Sequence, residues 1–204
     1  KNDLVHIEHS INDEFEYSEI TVIAPDKIGL FSKIASVLAL YGVNVVDAKI
    51  ITLGNGKVID SLSFLDGNDK AVTNKKVVKN IICKIEEVLL ENTNLNDDVT
   101  RIKKNKRSKR KEAFSVASRV ILDNSTSSED TIIEVTAHDR VGLLYDITSA
   151  LTSLNLKISS AHVTTFGVEA VDNFYVKDKH NKKLKAPQEI AKVKKVVLEA
   201  VNRI

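Results

Sequence analysis

The sequence predicts an α+β fold of two tandem units, each a β-α-β-β-α core with an extra strand, in which antiparallel sheets carry helices on one face. Three observations predict it. Asp26-Lys27-Ile28-Gly29-Leu30-Phe31 recurs as Asp139-Arg140-Val141-Gly142-Leu143-Leu144, 113 residues on. Each copy follows a β-branched run and opens an amphipathic stretch, the mark of a strand-to-helix turn. Between the copies, residues 92–115 break the pattern, which sets a first unit at 1–91, a linker at 92–115 and a second unit at 116–204.

In order, Asp3 to His9 reads as a short strand and Ser10 to Glu16 as a polar connection. Glu19 to Ala24 alternates as a strand that Pro25, lacking an amide donor, terminates. Asp26 stands where a helix cap is expected. Phe31, Ile34, Ala35, Leu38 and Tyr41 recur at helical spacing until Gly42 stops the helix. Val43 to Thr52 and Val58 to Leu65 form a hairpin about Gly54-Asn55-Gly56. Asn74 to Glu91 is a second amphipathic helix, with Val77, Val78, Ile81, Ile82, Ile85, Val88 and Leu89 at helical spacing.

The second unit repeats this order. Val116 to Leu122 and Thr131 to Ala137 are strands, and the helix after Asp139 carries Val141, Leu144, Ile147, Leu151 and Leu154 on one face. Leu156 to Thr165 and Ala170 to Val176 are strands joined at Gly167, and Pro187, suited to a first helical turn, leads the last helix. Ile34 aligns with Ile147, Ala48 with Ala161, Thr52 with Thr165 and, one residue out of step after the hairpin, Asp60 with Asp172. Matches in every element indicate a duplicated domain. Val116 to Leu122 lies at the same offset from Asp3 to His9, so each unit is expected to take its fourth strand from its own N-terminal side.

Composition narrows the function classes. A formal net charge of +2 is too small to argue for nucleic acid or an acidic membrane by itself. Cys83 is the single cysteine, which excludes an intrachain disulfide and a thiolate zinc site and fits a reducing, cytoplasmic setting. No apolar run approaches the roughly 20 residues of a membrane span. The chain begins at Lys1 rather than methionine, so it reads as a piece of a longer protein.

Gly29 and Gly142 with their neighbours, the strands at Asn44 to Ala48 and Ser160 to His162, and the hairpins at Gly54 and Gly167 resemble ACT domains, which are ferredoxin-like. Val120-Ile121-Leu122-Asp123-Asn124, Ile133-Glu134-Val135-Thr136-Ala137, Ala161-His162, Val171-Asp172-Asn173-Phe174-Tyr175-Val176 and, in the first unit, Ala24-Pro25-Asp26 resemble more narrowly the tandem ACT tail of the bacterial PII uridylyltransferase/uridylyl-removing family, especially its alphaproteobacterial type. That resemblance implies a regulatory region that senses glutamine in nitrogen signalling, with the PII protein as partner of the full-length enzyme. It implies no catalysis and no cofactor in this chain. The Mg2+-dependent chemistry would belong to absent domains, because no Gly-Ser nucleotidyltransferase signature with paired aspartates occurs here. A free-standing ACT protein that binds amino acids is the alternative.

In such domains an amino acid lies between two units, against the loop after the first strand. The candidate ligand residues are therefore Asp26, Lys27, Ile28, Gly29 and Leu30 in one loop and Asp139, Arg140, Val141, Gly142 and Leu143 in the other. Amides at Ile28 to Leu30 or Val141 to Leu143 suit a carboxylate, and Asp26 or Asp139 suits an ammonium group. Either aspartate could instead be only a helix cap. Asn44 matches a ligand-contacting asparagine of serine-binding ACT domains, although an asparagine after Gly42 is also an ordinary turn residue. The second unit has Lys157 there, so Asn44 favours the first loop as the better pocket, which it is expected to face.

Two other motifs lead elsewhere. His138-Asp139 spells the dipeptide of metal-dependent phosphohydrolases, but its place at a strand end, opposite Pro25-Asp26, argues against a metal site. His162 reads as a strand residue at the interface of the units. In Arg101 to Lys111, eight of eleven residues are Lys or Arg, yet no aromatic accompanies them for base stacking. A solvated linker is the expectation, with docking to an acidic protein surface next and nucleic-acid binding least favoured.

Overall fold

The computed structural model describes residues 5–12, 14–91, 93, 95, 97–100 and 116–203. The basic run Arg101 to Lys111 lies outside them. The elements are β1 (His6–Asn12), β2 (Tyr17–Pro25), α1 (Leu30–Tyr41), β3 (Asn44–Thr52), β4 (Lys57–Leu65) and α2 (Lys75–Glu91), then β5 (Arg119–Asp123), β6 (Thr131–His138), α3 (Leu143–Ser153), β7 (Lys157–Phe166), β8 (Glu169–Lys177) and α4 (Pro187–Val201). The chain is α+β with antiparallel pairing throughout.

Local chemistry accounts for the boundaries. Gly42 ends α1 at φ 68, its amide bonded to the carbonyls of Leu38 and Ala39. At the matching place after α3 stands Asn155 at φ 55, the other residue type that tolerates this region. The first strand runs further than its composition suggests, to Asn12. The Asn12 carboxamide oxygen accepts the amides of Glu14 and Phe15 at 3.1 and 3.0 Å, closing the turn into β2. The polar residues Ser10 to Asn12 therefore pair instead of forming a loop.

Both extra strands come from their own half, β1 on β2 and β5 on β6. The sheet differs from the expected arrangement of separate sheets. A single eight-stranded sheet runs in the order β1-β2-β4-β3-β7-β8-β6-β5. The halves join where β3 meets β7, pairing Asp47 with Thr164, Ala48 with Val163 and Lys49 with His162. His162 is itself the repeat counterpart of Lys49, so a pseudo-twofold axis passes between them.

Every second residue of β2 and β8 is buried, which marks one covered face. The helices supply the cover, with α1 packed on both α2 and α3, and α3 on α4. Phe64 on β4 and Phe174 on β8 have no exposed surface, and the buried side chains of both halves form one continuous cluster.

Candidate ligand-binding site

The β3–β7 junction decides which residues meet. Running the two strands antiparallel turns the helix-opening loop of each half toward the first residues of the other half's junction strand. Two related crevices result. The first has Asp26, Lys27, Ile28, Gly29 and Leu30 on one side and Thr152, Leu156, Lys157 and Ile158 of the second half opposite. The second has Asp139, Arg140, Gly142 and Leu143 opposite Ala39, Val43, Asn44 and Val45 of the first half. The two are equal in size, and each encloses only about 20 Å³ of free space as the side chains stand. Most facing residues are smaller in the second crevice, but Tyr145 there replaces Ser32.

Of the predicted residues, all but Val141 line a crevice, and Val141 is half-buried beside the second. The expected partner of Asn44 is corrected. Asn44 faces the second loop, and its amide donates to the Asp139 carboxylate at 2.6 Å. The first loop meets Lys157 instead, whose ammonium pairs with the Asp26 carboxylate at 2.5 Å. Both contacts are sheltered, Asp26 being 12% and Lys157 30% exposed. A backbone bulge follows each of these residues, between Val45 and Asp47 and between Ile158 and Ser160, and re-aims the strand at the crevice.

The expected capping role is corrected as well. The N-caps are Gly29 and Gly142, at φ 84 and 82, which have no side chain to bond the first helical amides. Asp26 and Asp139 instead point across the junction. Only glycine tolerates that backbone readily, and at Gly29 a Cβ would also sit 3.0 Å from Thr152 Cγ2. The Leu30 and Leu143 amides are taken by the carbonyls of Lys27 and Arg140, at 3.1 and 3.0 Å, so they close the loops rather than await an anion. The positive ends of α1 and α3 still face the crevices.

The loops differ in charge. Arg140 pairs with Asp146 at 2.6 Å and also reaches the Val201 and Arg203 carbonyls at 3.4 Å, tying the second loop to the end of α4. The first half has Lys27 and Lys33 at the matching positions. Burial lowers the Lys33 pKa, and the charge of Lys27 lowers it further.

Two further residues emerge from the structure. Asp60 and Asp172, each 1% exposed, form part of the crevice floors beneath Asp26 and Asp139. Among the described residues neither Asp60 oxygen has a hydrogen-bond partner, and Asp172 has one such oxygen. Burial pushes the Asp60 carboxyl up to about 7, with the charge of Asp26 adding to the effect. Burial does the same to Asp172, again to about 7, reinforced by Asp139 and opposed by the Thr164 amide. Strand parity signalled them, since a carboxylate at an inward position between Val58 and Leu62, or between Ala170 and Phe174, breaks an otherwise apolar face.

The histidines of the remaining motifs, His138 and His162, line neither crevice. The His138 ring bonds the Asp139 carbonyl at 2.9 Å, and His162 sits exposed at the junction, edge-on to Tyr175. Among the described residues no group of three or more His, Cys, Asp or Glu side chains could hold a metal, and no helix is long and apolar enough to cross a membrane.

Residues 119–203 match the family described as an ACR9-like, ACT-like domain. The bifunctional uridylyltransferase/uridylyl-removing enzyme of Gluconobacter oxydans is 38% identical over 185 residues, covering 91% of this chain and 20% of that protein. The enzyme of the same name from Azospirillum brasilense is 39% identical over 186 residues, covering 90% and 20%. That of Rhodospirillum rubrum is 34% identical over 199 residues, covering 98% and 21%. An aspartate kinase structure from Synechocystis covers 92% of this chain and 27% of that one at 15% identity and a TM-score of 0.41, too loose a likeness to bear on function. The chain thus spans about a fifth of these relatives' length, and it is a homologue of the ACT-domain region of the bifunctional uridylyltransferase/uridylyl-removing enzymes.

Proposed function

We propose that the chain comprises two tandem ACT domains that bind glutamine between them and regulate an attached uridylyltransferase/uridylyl-removing enzyme, setting the balance between uridylylation and deuridylylation of the PII protein. The observation that carries this reading is the crevice itself. It combines a helix start that opens on a glycine with a buried aspartate whose oxygens are not all hydrogen-bonded among the described residues, at a boundary that both halves build. The positive helix end suits the α-carboxylate of an amino acid, and the aspartates suit its ammonium. A buried carboxyl without a full set of partners costs free energy unless something donates to it, and a bound ammonium group would.

A ligand held by both halves favours the arrangement in which they are closed. Regulation then requires that glutamine bind two arrangements of the full-length enzyme with different affinity. Arg140 offers a route out of the crevice, since it joins the second loop to the end of α4. Isothermal titration with glutamine, against serine and glutamate as controls, tests the reading directly. Heat and a thermal shift specific to glutamine are expected. Neither at millimolar concentration overturns it.

A further inference from the structure

The two crevices each have a buried aspartate in the floor and an aspartate at the start of the loop, but they differ in what the opposite half inserts against that loop aspartate. The first receives a primary ammonium group, Lys157 Nζ, bonded to the Asp26 carboxylate at 2.5 Å. The second receives at the same position a neutral amide, Asn44 Nδ2, bonded to Asp139 at 2.6 Å. A free amino acid also brings a primary ammonium group. The first crevice therefore already contains the functional group that a ligand would supply, delivered by the chain itself.

We propose that Lys157 is a built-in occupant of the first crevice, its ammonium standing where Asp26 would hold that of a free amino acid. The first crevice is thereby closed to ligand, while the second, with Asn44 in Lys157's place, is open. Geometry and chemistry both lead there. Lys157 begins β7, and the bulge after it sets its direction. Its side chain is 30% exposed, so the pair with Asp26 is shielded from solvent, and an incoming zwitterion would have to displace a tethered cation that dissociates without leaving. In the second crevice the opposite half presents a neutral amide at that position in place of a cation, and Asp172 lies below with an oxygen that lacks a donor among the described residues. The first crevice is then a latent amino-acid site, switched off by one residue.

The inference rests on the proposed function, and its test separates the two. L-Glutamine is titrated by calorimetry into the wild-type chain and into Lys157→Asn, Lys157→Gln and Asn44→Lys, each shown to be folded by thermal unfolding. The wild type is expected to bind one equivalent. Lys157→Asn and Lys157→Gln are expected to bind two, and Asn44→Lys none. Combining Lys157→Asn with Asn44→Lys moves the single site to the first crevice, so that its binding is abolished by Asp26→Ala. Two equivalents in the wild type, or one in both Lys157 variants, overturns the surrogate role while leaving glutamine binding intact. No binding by any of these proteins overturns the surrogate role together with the function it rests on.

Discussion

Asn44 and Lys157 occupy the same position of the repeat, yet one presents a neutral amide to Asp139 and the other a full charge to Asp26. That difference adds to those between the loops themselves, and it divides the consequences of mutating them.

Asp139→Ala is expected to weaken glutamine binding by roughly tenfold or more, the scale of one lost charge-assisted contact. Asp26→Ala should leave the affinity of the wild-type site unchanged. Titration of each variant checks this, and equal losses in both would assign ligand to both crevices.

Asn44→Ala removes a bond that ties the halves together, and the chain should lose about 1 to 2 kcal/mol of stability. Urea unfolding measures it. Asn44→Asp should cost more, because it sets a second carboxylate against Asp139.

Gly29→Ala should destabilise the protein by about 1 to 2 kcal/mol, since its φ of 84 disfavours a Cβ and Thr152 Cγ2 lies 3.0 Å from where that atom would sit. Gly54 has open space around it and serves as control. Its alanine variant should unfold within about 0.5 kcal/mol of wild type.

The buried aspartates predict a pH dependence of definite sign. Asp60 and Asp172 have folded-state pKa values raised to about 7, well above an ordinary carboxyl. Between pH 4 and 7 the folded state therefore binds more protons than the unfolded one. Their contribution is intact below about pH 4 and is lost as pH rises through 7, at up to about 1.4 kcal/mol per pH unit for each group. Denaturant unfolding from pH 4 to 8 should show stability falling across this window, and Asp60→Asn or Asp172→Asn should flatten the fall. An unchanged slope in both variants would contradict the assignment.

Much of the fold was legible from the chain. The repeat, the hairpins and the Gly42 stop rest on local rules, as does the placement of β1 and β5 within their own halves. The site was legible only as two loops. Which strand each loop would face depends on how β3 and β7 pair at their edges, a choice between halves that no local pattern in either half encodes. Asn44 was accordingly matched with the nearer loop in sequence. The helix caps misled for another reason, because Asp26 has the residue type of a cap while the loop places Gly29 at that position. Asp60 and Asp172 were visible as a repeat match, but their significance lies in burial depth and missing partners, which only packing defines.

The junction of β3 with β7 carries one more consequence. Each half offers the same edge to the other about the axis between Lys49 and His162, so the chain is a homodimer in design whose protomers are covalently joined. A dimer of separate halves would assemble and lose its crevices with protein concentration. Joining them makes the local concentration of one half around the other independent of expression level. It also let the two crevices diverge, which identical protomers related by strict symmetry cannot do.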